Sequence, residues 1–156
     1  MQRLDKLLVE RGLAVTRTQA QKLIGAALVE VKTAGQWQVQ TKPSIKFAPD
    51  SELRTGDHPE LRYVSRAGLK LEAVLLERKI NVEGLVAIDI GQSTGGFTDC
   101  LLKHGAAQVV GIEVGHEQLA ASLRDNPKVL CLEGYNARQL DQSVLDHIEG
   151  NFDIAV

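Results

Sequence analysis

Asp89-Ile90-Gly91-Gln92-Ser93-Thr94-Gly95-Gly96-Phe97 follows an apolar run over 85–90 and opens a helical one over 96–104. A glycine-rich turn between a strand and a helix lets backbone approach a ligand at the helix N-terminus. The spacing departs from the dinucleotide fingerprint, because Gly91 and Gly95 are four apart and position 93 is a serine. It also lacks the Gly-Lys-Ser/Thr of a phosphate-binding loop. An acid, Glu113, ends the next predicted strand 22 residues after Gly91. In strand–loop–helix sites such a carboxylate accepts hydrogen bonds from ribose hydroxyls. A glycine loop with a ribose acid and no phosphate-binding lysine suits a nucleoside without a pyrophosphate, and S-adenosylmethionine fits that description. The competing reading is a tight packing turn with a solvated Glu113.

Outward from this loop the pattern alternates. Strands are predicted over 85–90, 108–113, 129–133 and 152–156, with helices over 66–79, 96–104, 117–124 and 141–148. Strand–helix alternation of this length predicts a parallel sheet. Upstream the pattern differs. Leu4, Leu7 and Leu8 stand on one stripe of a helix over 3–11, and Gly12 stops it. Thr16-Arg17-Thr18-Gln19 is a capping box that starts a second helix, with Ala20, Leu23, Ile24 and Ala27 as its buried face. Short alternating stretches over 28–32, 37–41 and 45–47 predict small strands. The domain reading is therefore a small α+β module over 1–55, a linker over 56–61 and an α/β domain over 62–156.

The 156 residues are 44% hydrophobic and 24% charged, which excludes a disordered or fibrous chain. No apolar run approaches the roughly 20 residues of a membrane span, and the charged N-terminus is not a secretory signal. The net charge of −2 hides an asymmetry. Residues 1–80 hold 14 Lys and Arg against 9 Asp and Glu, whereas residues 81–156 hold 4 against 11. A basic small module is the electrostatic footprint of a nucleic-acid binder. Cys100 and Cys131 sit in apolar runs and read as buried thiols in a cytoplasmic protein. The four histidines show no metal-ligand spacing, and no metal site is expected.

Two stretches resemble known families. Arg3-Leu4-Asp5 with Gly12, Thr16-Arg17, Ala20, Leu23-Ile24 and Lys42-Pro43 resembles the S4-type RNA-binding domain. Tyr63-Val64-Ser65-Arg66-Ala67-Gly68-Leu69-Lys70-Leu71, Ser93-Thr94-Gly95-Gly96-Phe97-Thr98-Asp99 and Asn136-Ala137-Arg138 resemble the haemolysin A (TlyA) family. Its members join an S4-type domain to an FtsJ-like, S-adenosylmethionine-dependent ribosomal RNA 2′-O-methyltransferase domain. The resemblance implies a Rossmann-like, class I doubly wound sheet, of which this chain carries the first half. It implies a cofactor set of Asp89, Gly91, Ser93, Thr94, Gly95, Gly96, Phe97, Glu113, Val114 and Asn136. Arg3, Lys6, Arg17, Lys22 and Lys42 form the expected RNA-facing set, with ribosomal RNA or a ribosomal subunit as partner.

The chain departs from the family pattern at several positions. Gln92 stands where a small residue is usual, His116 where tyrosine is usual, Tyr135 where threonine is common, and Ala27 where glycine is frequent. Of the FtsJ-like Lys-Asp-Lys-Glu catalytic set only the first lysine, Lys70, is present. The aspartate would follow the stretch over 152–156 almost at once, so this sequence is expected to be inactive by itself. A non-catalytic RNA-binding or regulatory module is the alternative function. A membrane-active haemolysin is disfavoured, since no basic amphipathic helix with bulky aromatics is present.

Overall fold

The computed structural model describes residues 1–156, apart from the side chain of Glu60, and divides them into two compact units, residues 1–62 and 63–156. In the first unit, strand β1 (Gln2–Arg3) leads into helix α1 (Leu4–Glu10), which buries Leu4, Leu7 and Leu8. Helix α2 (Arg17–Gly25) buries Ala20, Leu23 and Ile24. Its cap is offset from the predicted box. Thr16 Oγ1 accepts from the Gln19 amide at 3.2 Å, but Gln19 Oε1 accepts from the Val15 amide at 3.0 Å rather than from that of Thr16. Ala27 is not on the buried face. It lies beyond the helix end at φ 58°, exposed, in the left-handed position where glycine is commonest.

Strands β2 (Val29–Thr33) and β3 (Gln36–Gln40) form an antiparallel hairpin. Its two turn residues, Ala34 and Gly35, both have positive φ, the turn geometry that matches strand twist. Strand β4 (Lys46–Phe47) pairs with β1. Strand β5 (Leu53–Thr55) pairs antiparallel with Val29–Val31, giving the order β3-β2-β5. Sequence reading placed these last residues at the module's end and predicted no strand there. Leu53 packs on the core of Leu4, Leu8, Ala20, Leu23, Ile24, Val29 and Val31, so burial recruits it into the sheet. Pro59–Leu61, also read as linker, forms a 3₁₀ turn.

One polar group sits inside this apolar unit. The Asp5 carboxylate is fully buried, and a buried charge is tolerated only when paired. Arg3 Nε donates to Oδ1 at 3.0 Å; Arg3 Nη2, Arg17 Nη2 and Gln21 Nε2 donate to Oδ2 at 3.0, 2.9 and 2.9 Å.

The second unit starts with helix α3 (Ala67–Glu77). The sheet then builds from β6 (Val86–Ile90), helix α4 (Gly96–Lys103), β7 (Gln108–Glu113), helix α5 (Ala121–Arg124), β8 (Val129–Glu133) and β9 (Ile154–Ala155). All neighbours are parallel, in the order β8-β7-β6-β9. The chain steps from β6 to β7 and β8 on one side and returns to β9 on the other. The carboxyl end of β6 is therefore the switch point where ligands bind in open α/β sheets. Ala87 and Val109 join a core with Tyr63, Leu71, Leu75 and Leu101, while Ile88, Val110 and Ile112 face a second core with Val144. Burial on both faces is what a parallel sheet requires.

The predicted helices at 117–124 and 141–148 are shorter than expected. Glu117 has φ 53° and its amide donates to Glu133 Oε1 at 2.8 Å, while the Ala120 amide donates to the Thr94 carbonyl at 3.1 Å. A left-handed residue at 117 cannot continue a right-handed helix, and the Ala120 amide is taken by Thr94, so α5 is a single turn. Residues Gln142–His147 are 3₁₀, with only Val144 buried. At 152–156 the ladder bonds run from the Asp153 amide to the Val156 amide, although β9 itself is two residues long.

Arg3, first of the groups beside Asp5, together with Arg17 and Gln21, holds its carboxyl well below the usual carboxylate range, against the effect of burial. The folded-state pKa lies below the unfolded value of about 3.9. Protonation therefore favours the unfolded chain, and the Asp5 contribution is present above about pH 4 and lost as pH falls further. Trp37 is the only tryptophan and lies in the same unit. The melting temperature read from its emission should fall more steeply between about pH 5 and pH 3 in the wild type than in Asp5→Asn. Parallel falls would assign the acid sensitivity to other carboxylates.

Candidate cofactor and nucleic-acid sites

The loop after β6 is shaped by two close approaches. Gly95, at φ 92°, lies so near Leu123 that a Cβ there would be 2.5 Å from its Cδ1. A Cβ on Gly96 would be 2.2 Å from Ser65 Oγ. Backbone thus enters α4 against two neighbours that leave no room for a side chain. The Gly91 and Gln92 amides both donate to the Ile112 carbonyl, at 2.8 and 3.2 Å, tying the loop to β7.

Asp89 is the penultimate residue of β6, beneath this loop, and is 2% exposed. The Thr98 amide and hydroxyl donate to its Oδ2 at 3.1 and 2.7 Å, and no bond among the described residues is made to Oδ1. Burial pushes its pKa up; the Thr98 bonds oppose that shift and the nearby Glu113 charge adds to it. The Thr98 hydroxyl in turn accepts from Gln92 Nε2 at 2.8 Å. Gln92 fills the space over Gly111, where a Cβ would come within 2.0 Å of it. Its Oε1 is buried with no partner among the described residues.

Glu113 is 7% exposed, and backbone amides reach both of its oxygens. Gly115 donates to Oε1 at 2.8 Å and Ser93 to Oε2 at 2.7 Å, which holds the carboxyl below its ordinary pKa. Sequence reading gave this acid a ribose to bind and missed the two loop amides. Each carboxylate oxygen has a further lone pair, so the two roles are compatible.

Two cavities flank the end of β6, and Ile90 and Gly91 line both. The first, about 250 Å³, is lined by Ser65, Ala67, Asp89, Ser93, Thr94, Gly96 and Phe97 among others. The second, about 360 Å³, is lined by Glu113, Val114 and Asn136, with Tyr135, Ala137 and Arg138. Nine of the ten expected cofactor residues therefore border these two spaces; the tenth, Gly95, packs behind the loop. Ser65 was not among them, although it stood in the stretch quoted for the family resemblance. His116 lines neither cavity and lies 3.9 Å from Glu133. Tyr135 hydroxyl donates to Asp141 at 3.3 Å.

Lys70 is exposed on α3, three residues after Ala67, a spacing that puts both on neighbouring positions of one helix side. It makes no ion pair among the described residues.

In the first unit, Arg3 and Arg17 of the expected RNA-facing set converge on Asp5. The Asp5 amide donates to the Pro43 carbonyl at 3.3 Å, which brings the backbone at Lys42 close to them. Lys6, Lys22 and Lys42 are exposed. Sequence reading missed Trp37, whose ring carries the Arg54 guanidinium at 4.4 Å and the Lys32 ammonium at 5.8 Å. Both cations are paired with acids, Glu30 and Glu52.

Burial pushes the Cys100 thiol up to about 11, so it is an inert core group. No cluster that could hold a metal ion occurs among the described residues, and no helix among them is long and apolar enough to cross a membrane.

Comparison with known proteins matches the two units separately. Residues 63–156 match the FtsJ-like methyltransferase model and residues 2–31 the S4 domain model. YqxC of Bacillus subtilis is 47% identical over 137 residues, which cover 88% of this chain and 47% of that protein. The 16S/23S rRNA (cytidine-2'-O)-methyltransferase TlyA of Mycobacterium tuberculosis is 42% identical over 154 residues, covering 99% of this chain and 55% of its own. A solved structure from Streptococcus thermophilus, described as a hemolysin, is 40% identical with a TM-score of 0.58, covering 99% of this chain and 54% of that one. The chain thus spans about half the length of the curated relatives it matches. A parallel sheet with its glycine loop at the switch point, a family match running from Tyr63 to Val156 and an S4 domain ahead of it lead to one conclusion: this chain belongs to the FtsJ-like methyltransferase family, in its haemolysin A (TlyA) branch.

Proposed function

We propose that residues 63–156 bind S-adenosylmethionine at the carboxyl ends of β6 and β7. We further propose that the protein methylates a ribose 2′-hydroxyl of ribosomal RNA, with residues 1–55 docking the RNA. The observation that carries the cofactor reading is the pair of buried acids, Asp89 and Glu113, at the ends of adjacent strands. Asp89 commits Oδ2 to Thr98 and keeps Oδ1 for a cationic group, which suits the ammonium of the methionyl portion. Glu113 keeps lone pairs for ribose hydroxyls, and Val114 and Asn136 border the same cavity for the base. The cofactor, when bound, supplies a methyl group on a sulfonium centre.

The chain's own task is to hold the acceptor hydroxyl in line with that methyl carbon and to receive its proton. Lys70 is the candidate for the proton. A lysine acts as base only where burial or neighbouring charges lower its proton affinity. Exposed and without an ion-pair partner among the described residues, Lys70 needs the Asp-Lys-Glu remainder of the resembled set. Residues 1–156 by themselves are therefore read as binding without turning over.

Three measurements test this reading. Calorimetry with S-adenosylmethionine should give weaker binding, by about tenfold or more, for Gly95→Val, which drives a side chain into Leu123, and for Glu113→Ala. Equal affinity in all three proteins would remove the cofactor site from this loop. Arg17→Glu should weaken ribosomal RNA binding and flatten the slope of log K against log salt by about one or two. An unchanged slope would leave these charges as solvated surface. Labelled-methyl transfer to ribosomal RNA should be undetectable for residues 1–156 and present in a longer form carrying the rest of the resembled set. Turnover by residues 1–156 would overturn the roles given to Lys70 and its partners, and RNA binding without transfer by the longer form would favour a non-catalytic module.

A further inference from the structure

Two guanidinium groups share one carboxylate in the first unit. Arg3 takes Asp5 side-on through Nε and Nη2, and Arg17 reaches the same Oδ2 through Nη2. Gln21 closes the remaining approach to that oxygen. Asp5 itself is wholly buried, while the Arg3 and Arg17 side chains are 40% and 50% exposed. Two cations on one anion leave the group with a net charge of +1 facing solvent. A guanidinium has five N–H donors, of which Arg3 spends two and Arg17 one on this carboxylate.

A carboxylate that needed only neutralising would be satisfied by one arginine. Here it fixes two, each with donors to spare on a side chain that stays partly exposed. We infer that Asp5 is a positioning residue, which holds Arg3 and Arg17 as one preformed receptor for a backbone phosphate of folded RNA. This inference rests on the RNA-docking reading above and gives it a mechanism. Free arginines must give up rotamer freedom to grip a phosphate, whereas a pair already held by a buried acid does not. A contact of this kind carries no base sequence, so it sets affinity and register rather than specificity.

The inference is testable because charge and positioning predict opposite signs. Asp5→Asn removes a negative charge from beside two arginines and keeps the side chain's shape. If Asp5 served the fold alone, the folded variant would bind RNA more tightly, with a steeper salt slope. Positioning predicts weaker binding, by roughly five- to tenfold, with a slope no steeper than wild type. The probe is deproteinised total ribosomal RNA at about 0.1 M monovalent salt, with the whole chain, at a temperature where circular dichroism and Trp37 emission report a folded variant. Arg3→Lys and Arg17→Lys keep the charge but lose the fork, and should weaken binding in the same direction. They decide the matter if Asp5→Asn does not fold. Wild-type affinity in the lysine variants, or tighter binding by folded Asp5→Asn, overturns the inference and leaves RNA docking intact. A wild-type chain that does not bind RNA overturns both.

Discussion

The carboxylate of Glu113 holds two turns at once. One oxygen accepts from Ser93 in the loop after β6, and the other from Gly115 in the turn after β7. Both turns lie at the carboxyl ends of adjacent parallel strands, where an open sheet leaves backbone amides without partners. A neutral side chain at 113 would offer at most one acceptor for those two amides. With the turns held, the Gly91 and Gln92 amides reach Ile112, Gly95 packs on Leu123, and α4 begins where Thr98 can grip Asp89. The two cavities open beside these turns, and Glu113, which holds the turns, itself borders one of them.

The fold class was legible in the sequence because its cause is periodic. Apolar runs at strand length, separated by helical stripes, leave few ways to bury both faces of a sheet. The glycine loop was legible for a different reason: close backbone approach demands glycine, and Gly95 and Gly96 both meet neighbours where a Cβ would go. Where reading by period failed, the backbone was spending its bonds elsewhere. Glu117 and Ala120 sit in a helical pattern, yet their amides serve Glu133 and Thr94. Such acceptors are distant in the chain, and no local window contains them. Leu53–Thr55 was lost for the same reason, since its partner Val29–Val31 lies over 20 residues away.

Charged residues were the least legible. Glu113 was recognisable as an acid in the right place, but not as one already engaged by two amides. Arg3 and Arg17 were recognisable as basic, but their common partner was not, because Asp5 is 2 residues from one and 12 from the other. Sequence shows how many charges a module has. Only the packing shows which of them have lost the freedom to move, and for an arginine that freedom decides how firmly it can grip.

Gln92 lies over Gly111 with no room to spare. The two residues are 19 positions apart in the chain, Gln92 in the loop after β6 and Gly111 within β7, and their sizes are linked. A side chain at 111 would have to push aside the Gln92 amide, which donates to Thr98, whereas a smaller residue at 92 opens the space that 111 could then fill. Substitutions at this pair therefore cost less in one order than in the other. Drift through this part of the sheet has a direction, set by a side chain whose Oε1 finds no partner among the described residues in the space it fills.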